Sequence, residues 1–361
     1  MNSYLFATDC EGPVTINDNA YELCGHFIPD GARFFTQLSK YDDFLADIEQ
    51  KPGYKSGDTL KLILPFLKAF GATDREIKNF CQDNLSLVPF AGETLSVLGD
   101  LMPSFIISTS YEPYVQALCD RIAFPVEQTY FTSLTLDCFQ VPGSEAARLR
   151  KLALEIIGLP ALNWEEKITS RSCLSPSNLT AVTRLDAIFW GEVLQMEAGV
   201  MLRAVNPVGG TEKANAIKDI LTRFQGRPDE IIFCGDSITD VEAFKVVRAG
   251  GGFTIAFNGN RYALQEAEIA CISTHAVPVL MLADAFRYGG GQAVRQMIRE
   301  KNYQAFSDRY HYAAFFPQLI QYLLEKLPKM EIITDHNREN LIKESEQMRK
   351  TLRGEIIGTL G

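Results

Sequence analysis

Two carboxylates one residue apart, Asp9 and Glu11, follow the apolar run at residues 4–8 and precede Gly12 and Pro13, which turn the chain. At a strand tip such a pair can attack an electrophile, exchange a proton or hold a hard cation. Taken alone, the pair reads as a turn cap and a solvated glutamate. Ser108 ends a second apolar run at residues 104–108, ahead of a helix-like stretch carrying Tyr114, Val115 and Leu118. A hydroxyl and free backbone N–H groups at a helix start can hold a phosphate oxygen, although serine there is more commonly a cap. Lys213 follows Gly209 and Gly210 in the first turn of a helix whose apolar face is Ile217, Ile220 and Leu221. A cation opposes the helix dipole there, which hints at another task. The segment lacks the G-x-x-x-x-G-K-[ST] spacing of a nucleotide P-loop. Last come Asp236 and Asp240, behind an apolar run at 230–234 and Gly235. The first can reach a cation at the strand tip and the second can orient its water shell. The alternative is a cap on the helix carrying Val241, Phe244 and Val247.

Each motif needs a strand behind it. The apolar runs at 4–8, 104–108, 230–234 and 253–257, separated by helical stretches, predict an α/β fold with a buried parallel sheet. Thr73-Asp-Arg-Glu76 reads as a capping box, and Ser144 as the cap of a helix with Leu149, Leu152, Ala153, Ile156 and Ile157 on its core face. Far more chain than one crossover helix needs separates the first two runs, so residues 16–99 read as a helical cap. Residues 139–205 read as a second helical insertion, with Leu179, Val182, Leu185, Ile188 and Phe189 as its buried stripe; Trp164 and Trp190 there carry no signal beyond packing. Residues 1–15, 100–138 and 206–295 form the core, and 296–361 a helical extension. The Gly- and Pro-containing run at 52–57 has the composition of a mobile loop able to close over a site. His26, Arg33, Tyr54 and Lys55, with Thr109 beside Ser108, are the candidates for substrate contact.

The 361 residues carry 35 Lys plus Arg against 45 Asp plus Glu, a net charge of −10, which argues against nucleic acid and anionic membrane as partners. Hydrophobic residues at 46% and charged residues at 22% are globular values, so the chain folds. No apolar segment is long enough for a bilayer span and no secretory signal opens the sequence. The eight cysteines are scattered without a C-x-x-C pair, beside only four histidines, so reduced thiols in a cytoplasmic protein are expected rather than zinc or disulfides.

The four motifs occur in order, each where a strand gives way to a turn or helix. In this the sequence resembles the haloacid dehalogenase-like phosphohydrolase superfamily, particularly its phosphoserine phosphatase-like branch with a helical cap, and within it an uncharacterised archaeal and bacterial subgroup with an Asp-Cys-Glu-Gly-Pro start. The resemblance covers roughly residues 3–15, 103–138 and 208–275. It implies a Rossmann-like core and a Mg²⁺-dependent phosphohydrolase acting on a small phosphorylated metabolite. By it, Asp9 is the nucleophile, Glu11 the general acid and base, Ser108 and Lys213 the phosphate-holding pair, and Asp9, Glu11, Asp236 and Asp240 the metal site. Two departures stand out. Glu11 occupies the place where these phosphatases usually have Asp, and the Ser108 segment lacks the glycine pair of the phosphoserine branch, so phosphoserine is not carried over as substrate. A phosphomutase that shields the same aspartyl phosphate from water, and a catalytically weak regulatory or scaffold protein, are the competing expectations.

Overall fold

The computed structural model describes residues 4–163, 168–300 and 328–360; Trp164 and residues 301–327 lie outside the described part. Its strands are β1 (Leu5–Thr8), β2 (Ser104–Tyr111), β3 (Thr129–Thr132), β4 (Ile231–Gly235), β5 (Phe253–Phe257), β6 (Ile269–Ile272) and β7 (Lys329–Ile332), arranged in one sheet in the order β3-β2-β1-β4-β5-β6-β7. All neighbours are parallel except the antiparallel edge pair β6 and β7. β1 shows why the sequence pattern was unbroken: Leu5 and Ala7 enter one core cluster while Phe6 enters the other. A strand covered on both faces has no polar side to alternate with.

Helices α1 (Asn19–Phe27), α2 (Gly31–Asp43), α3 (Thr59–Ala69), α4 (Asp74–Asn84) and α5 (Ala91–Leu101) lie between β1 and β2, and α6 (Glu112–Ile122) follows β2. Between β3 and β4 come α7 (Gly143–Gly158), α8 (Pro176–Asp186), α9 (Val200–Ala204) and α10 (Thr211–Arg223). After β4 come α11 (Val241–Ala249), α12 (Arg261–Glu266), α13 (Val277–Glu300), kinked at Gly289 and Gly290, and α14 (Arg338–Arg353). The helical segments before and after β2–β3 pack on each other. Gln37 of α2 donates to the Pro160 carbonyl at 2.8 Å, and the Trp190 indole N–H donates to the Tyr41 hydroxyl at 2.9 Å. No helix among the described residues is long and apolar enough to cross a membrane.

Local chemistry sets most boundaries. Thr73 caps α4 through the Glu76 N–H at 3.2 Å, as expected. Ser144 does not cap α7: Pro142 takes that position, its carbonyl accepting the first helical bond from the Ala146 N–H at 2.8 Å. Within the expected stripe of the second insertion, Leu179 is 42% exposed while Val182, Leu185, Ile188 and Phe189 are buried. β2 runs three residues beyond Ser108 with irregular register between Ile107 and Tyr111, so the Ser108 motif lies on a strand rather than at a helix start. β7 is the other surprise, a strand within the extension that reads as helical from sequence. α14, which follows it, is anchored through buried Leu341 and Ile342 and by the Ser345 hydroxyl, which donates to the Gly259 carbonyl at 2.7 Å.

Candidate active site

The strand order reverses direction between β1 and β4, which makes their carboxyl ends the crevice where open α/β sheets bind ligands. Asp9 leaves β1 and Asp236 leaves β4 at this point. The Asp9 N–H closes the ladder onto the Cys234 carbonyl at 2.8 Å, and one carboxylate oxygen accepts the Cys10 N–H at 2.7 Å. The chain then turns back, with the Val14 and Thr15 N–H groups both on the Cys10 carbonyl at 2.9 Å. Gly12 sits at φ +102°, and a Cβ there would stand 2.1 Å from the Asp236 Oδ2. Only glycine both adopts that conformation readily and lets the two motifs touch.

Lys213, on the first turn of α10, is completely buried. Its Nζ lies 2.7 Å from Asp9 Oδ2 and 2.8 Å from Asp240 Oδ1. Burial opposes its charge, but Asp240 and Asp9 more than offset this and raise its pKa. The other Asp240 oxygen accepts the N–H groups of Asp236 at 2.9 Å and Ser237 at 3.0 Å. Asp240 thus has both oxygens engaged in holding the Asp236 loop and Lys213, which makes it a positioning residue. Its carboxylate still lies within 4.8 Å of those of Asp9 and Asp236, and all three are buried.

Burial, followed by Asp240, pushes the Asp9 carboxyl well above the usual carboxylate range against the pull of Lys213; Asp236 pushes the same way. Burial and then Asp18 push Glu11 up to about 8, while Arg353, the Asn19 N–H and Ser110 pull it down. Its Oε1 accepts the Asn19 N–H at 2.7 Å, at the start of α1. A cluster of oxygen donors on facing carboxylates, beside a backbone turn without a Cβ, suits Mg²⁺.

A cavity of about 90 Å³ opens on Asp9, Glu11 and Asp236 and continues between Phe35, Asp42 and Leu60 of the helical segment. Thr109 and Ser110 line it, whereas Ser108 is fully buried behind them, its Oγ accepting the Ser110 N–H at 3.1 Å. Arg33 is exposed on α2 and does not line the cavity. Lys55 is turned to Asp58 at 3.1 Å and Asn206 at 2.6 Å, likewise off the cavity. His26 is exposed against the rings of Phe27 and Phe80. The run at 52–57 does lie beside the site, but it is tied down: Asp42 accepts from the Tyr54 hydroxyl at 2.6 Å and the Gly57 N–H at 2.9 Å, and also takes the Thr59 N–H at 3.0 Å. These bonds only partly counter the effect of burial, which lifts Asp42 to about 7.

Two residues that no motif pointed to complete the site. Arg349 and Arg353 of α14, both buried, meet on the same oxygen of Asp236, Arg353 at 3.2 Å. Arg353 also donates to the Ile16 carbonyl at 3.1 Å and to that of Asn17, and Arg349 to the Leu360 carbonyl at 3.1 Å. A sequence signal did exist: Leu341, Ser345, Arg349 and Arg353 are spaced four apart, so a helix that buries the first carries both arginines on the same face.

A solved structure of a gene product of Archaeoglobus fulgidus is similar to this chain end to end, with 27% identity, a TM-score of 0.80, and coverage of 100% of this chain and 99% of that one. Lesser similarity extends to a phosphoserine phosphatase (11% identity, TM-score 0.47, 78% of this chain and 98% of that one). It extends also to a haloacid dehalogenase-family hydrolase of Salmonella enterica (12% identity, TM-score 0.42, 76% and 69%). No protein-family profile and no curated protein sequence matches the chain. The α/β core with its parallel strand order is the architecture that the sequence pattern predicts, and Asp9 and Asp236 stand at its carboxyl strand ends.

Proposed function

We propose that this protein is a phosphomonoester hydrolase of a small metabolite, working through an aspartyl phosphate on Asp9. The observation that carries the reading is the buried trio of Asp9, Lys213 and Asp240 beside Asp236 at the reversal point of the sheet. An aspartate held by a fully buried lysine against two further carboxylates is a costly arrangement for folding alone. It suits a site that receives a doubly charged anion.

In this reading an Asp9 oxygen attacks phosphorus as the ester oxygen departs. Glu11, protonated at neutral pH because burial raises it, donates to the leaving oxygen and afterwards takes a proton from the attacking water. Lys213 offsets charge developing on the phosphoryl oxygens, with Asp240 fixing its position. Ser108 holds the Ser110 backbone from behind, and Thr109 and Ser110 face the substrate. Mg²⁺ held by Asp9, Asp236 and the Glu11 carbonyl would neutralise the facing carboxylates and polarise a phosphoryl oxygen. Residues 16–99 then act as the cap that closes the cavity, the 139–205 insertion braces it, and the glutamate in place of the usual aspartate sets the acid one methylene further out.

A screen of phosphomonoesters for released phosphate, with and without Mg²⁺ and with Asp9→Asn as control, tests the reading. Mg²⁺-dependent release that Asp9→Asn abolishes supports it. Absence of turnover on every ester, or turnover surviving Asp9→Asn, refutes it.

A further inference from the structure

Six carboxylates line the cavity: Asp9, Glu11, Asp18, Asp42, Asp43 and Asp236. Against them stand two cations, Arg349 and Arg353; Lys213 lies beneath Asp9 and is not part of the lining. These guanidinium groups are the only cations that an anion entering so acidic a space meets among the described lining side chains. Their supply exceeds the demand of their shared partner, because both converge on one Asp236 oxygen and the buried Nε of Arg349 has no hydrogen-bond partner. Their position is fixed as well. α14 is pinned by Leu341 and Ile342 in the core and by Ser345 on Gly259, and Arg353 is held by the carbonyls of Ile16 and Asn17. The two guanidinium groups are therefore held in place before any anion arrives, with the Arg349 Nε left open, and a carboxylate or phosphate is the partner such groups match best.

We infer that Arg349 and Arg353 form an anion-binding wall that selects esters whose alcohol part carries its own acidic group, a carboxylate or a second phosphate. This rests on the phosphohydrolase reading for the identity of the ester but not for the existence of the wall. The reacting phosphoryl group goes to Asp9 and Lys213, and the second acid to the arginines. Any cation that draws the Asp236 carboxylate to itself leaves more of both forks for that second acid.

The test is calorimetric titration of the Asp9→Asn protein in Mg²⁺ with matched pairs of esters, such as 3-phosphoglycerate against glycerol 3-phosphate and a sugar bisphosphate against its monophosphate. At least one doubly acidic ester should bind about tenfold more tightly than its partner, a preference that Arg349→Gln and Arg353→Gln each reduce and Arg353→Lys partly restores. The carboxylate and bisphosphate arms identify which acid the wall takes. Equal affinity within every pair overturns the proposal, as does a Gln variant that weakens both members equally, which would place the arginines on the reacting phosphoryl group, or one that tightens binding, which would make them an obstruction. If a Gln variant does not fold, the Lys variant decides: loss of the preference in a folded Arg353→Lys protein also counts against the wall. A binding preference without turnover of any ester would sink the phosphohydrolase reading and leave the wall standing.

Discussion

Two clusters of cations and carboxylates meet at the ends of β1 and β4, and they are built in opposite ways. In one, a single buried lysine serves two carboxylates, Asp9 and Asp240; in the other, two arginines serve a single oxygen of Asp236. The lysine cluster is short of positive charge, and burial and Asp240 raise the Asp9 carboxyl against the pull of Lys213. The arginine cluster puts two cations on one carboxylate oxygen, and Arg353 also lowers the Glu11 and Asp18 carboxyls beside it. The first is suited to a reacting group that arrives with a cation, the second to an anion that arrives without one, and a substrate with two acidic ends would satisfy both.

Breaking the lysine cluster should give the largest effects. Asp9→Asn should lower turnover on the best ester at least a thousandfold, about 4 kcal/mol or more of barrier, measured by phosphate release. Lys213→Gln leaves two buried carboxylates facing each other without a cation. It should cost about 3 kcal/mol of stability in urea unfolding. Arg353→Gln should cost less, about 1 to 2 kcal/mol in the same measurement, since Arg349 remains on Asp236. If Arg353→Gln proved the more damaging of the two, the contrast drawn between the clusters would be wrong.

The junction between the clusters can be tested at Gly12, where an added Cβ collides with the Asp236 carboxylate and φ is positive. Gly12→Ala should lose about 1 to 3 kcal/mol of stability and weaken Mg²⁺ binding, read by thermal melting and calorimetry. A pH-dependent effect concerns Asp42, whose folded pKa of about 7 lies above its ordinary value of 3.8. The folded state holds the proton more tightly there, so the stability tied to this group is complete below pH 4 and is lost as pH rises towards 7. The slope is at most about 1.4 kcal/mol per pH unit. Melting curves of Asp42→Asn should therefore fall less steeply across that window than those of the parent; identical slopes would remove Asp42 from this role.

The parallel strands β1, β2, β4 and β5 were legible because doubly covered strands are short apolar runs, and residues 230–235 illustrate how little room such a run leaves for another reading. For Lys213 the cost of a cation at a helix start was only a weak signal, and the family resemblance supplied the rest. Ser144 was misread since Pro142 offers its carbonyl to the helix first. Ser108 was misplaced because hydrogen bonds to β3 extend β2 to Tyr111, and no local signal announces a neighbouring strand. Arg33 and Lys55 were reasonable by charge, yet charge alone does not tell which face of a helix or loop turns inward.

Sequence by itself determined the order of the four motifs and the α/β class, and through the family resemblance it singled out Asp9, Glu11, Lys213 and Asp236 as candidates, because each motif is a run of about ten neighbouring residues. The tertiary structure alone decided that a pair of arginines reaches the site from α14, 113 and 117 residues beyond Asp236. The physical reason is that an arginine on a mostly polar helix is solvated unless its own face is anchored in the core. Leu341, Ile342 and Ser345 anchor it here, and so turn Arg349 and Arg353 away from water and onto a buried carboxylate.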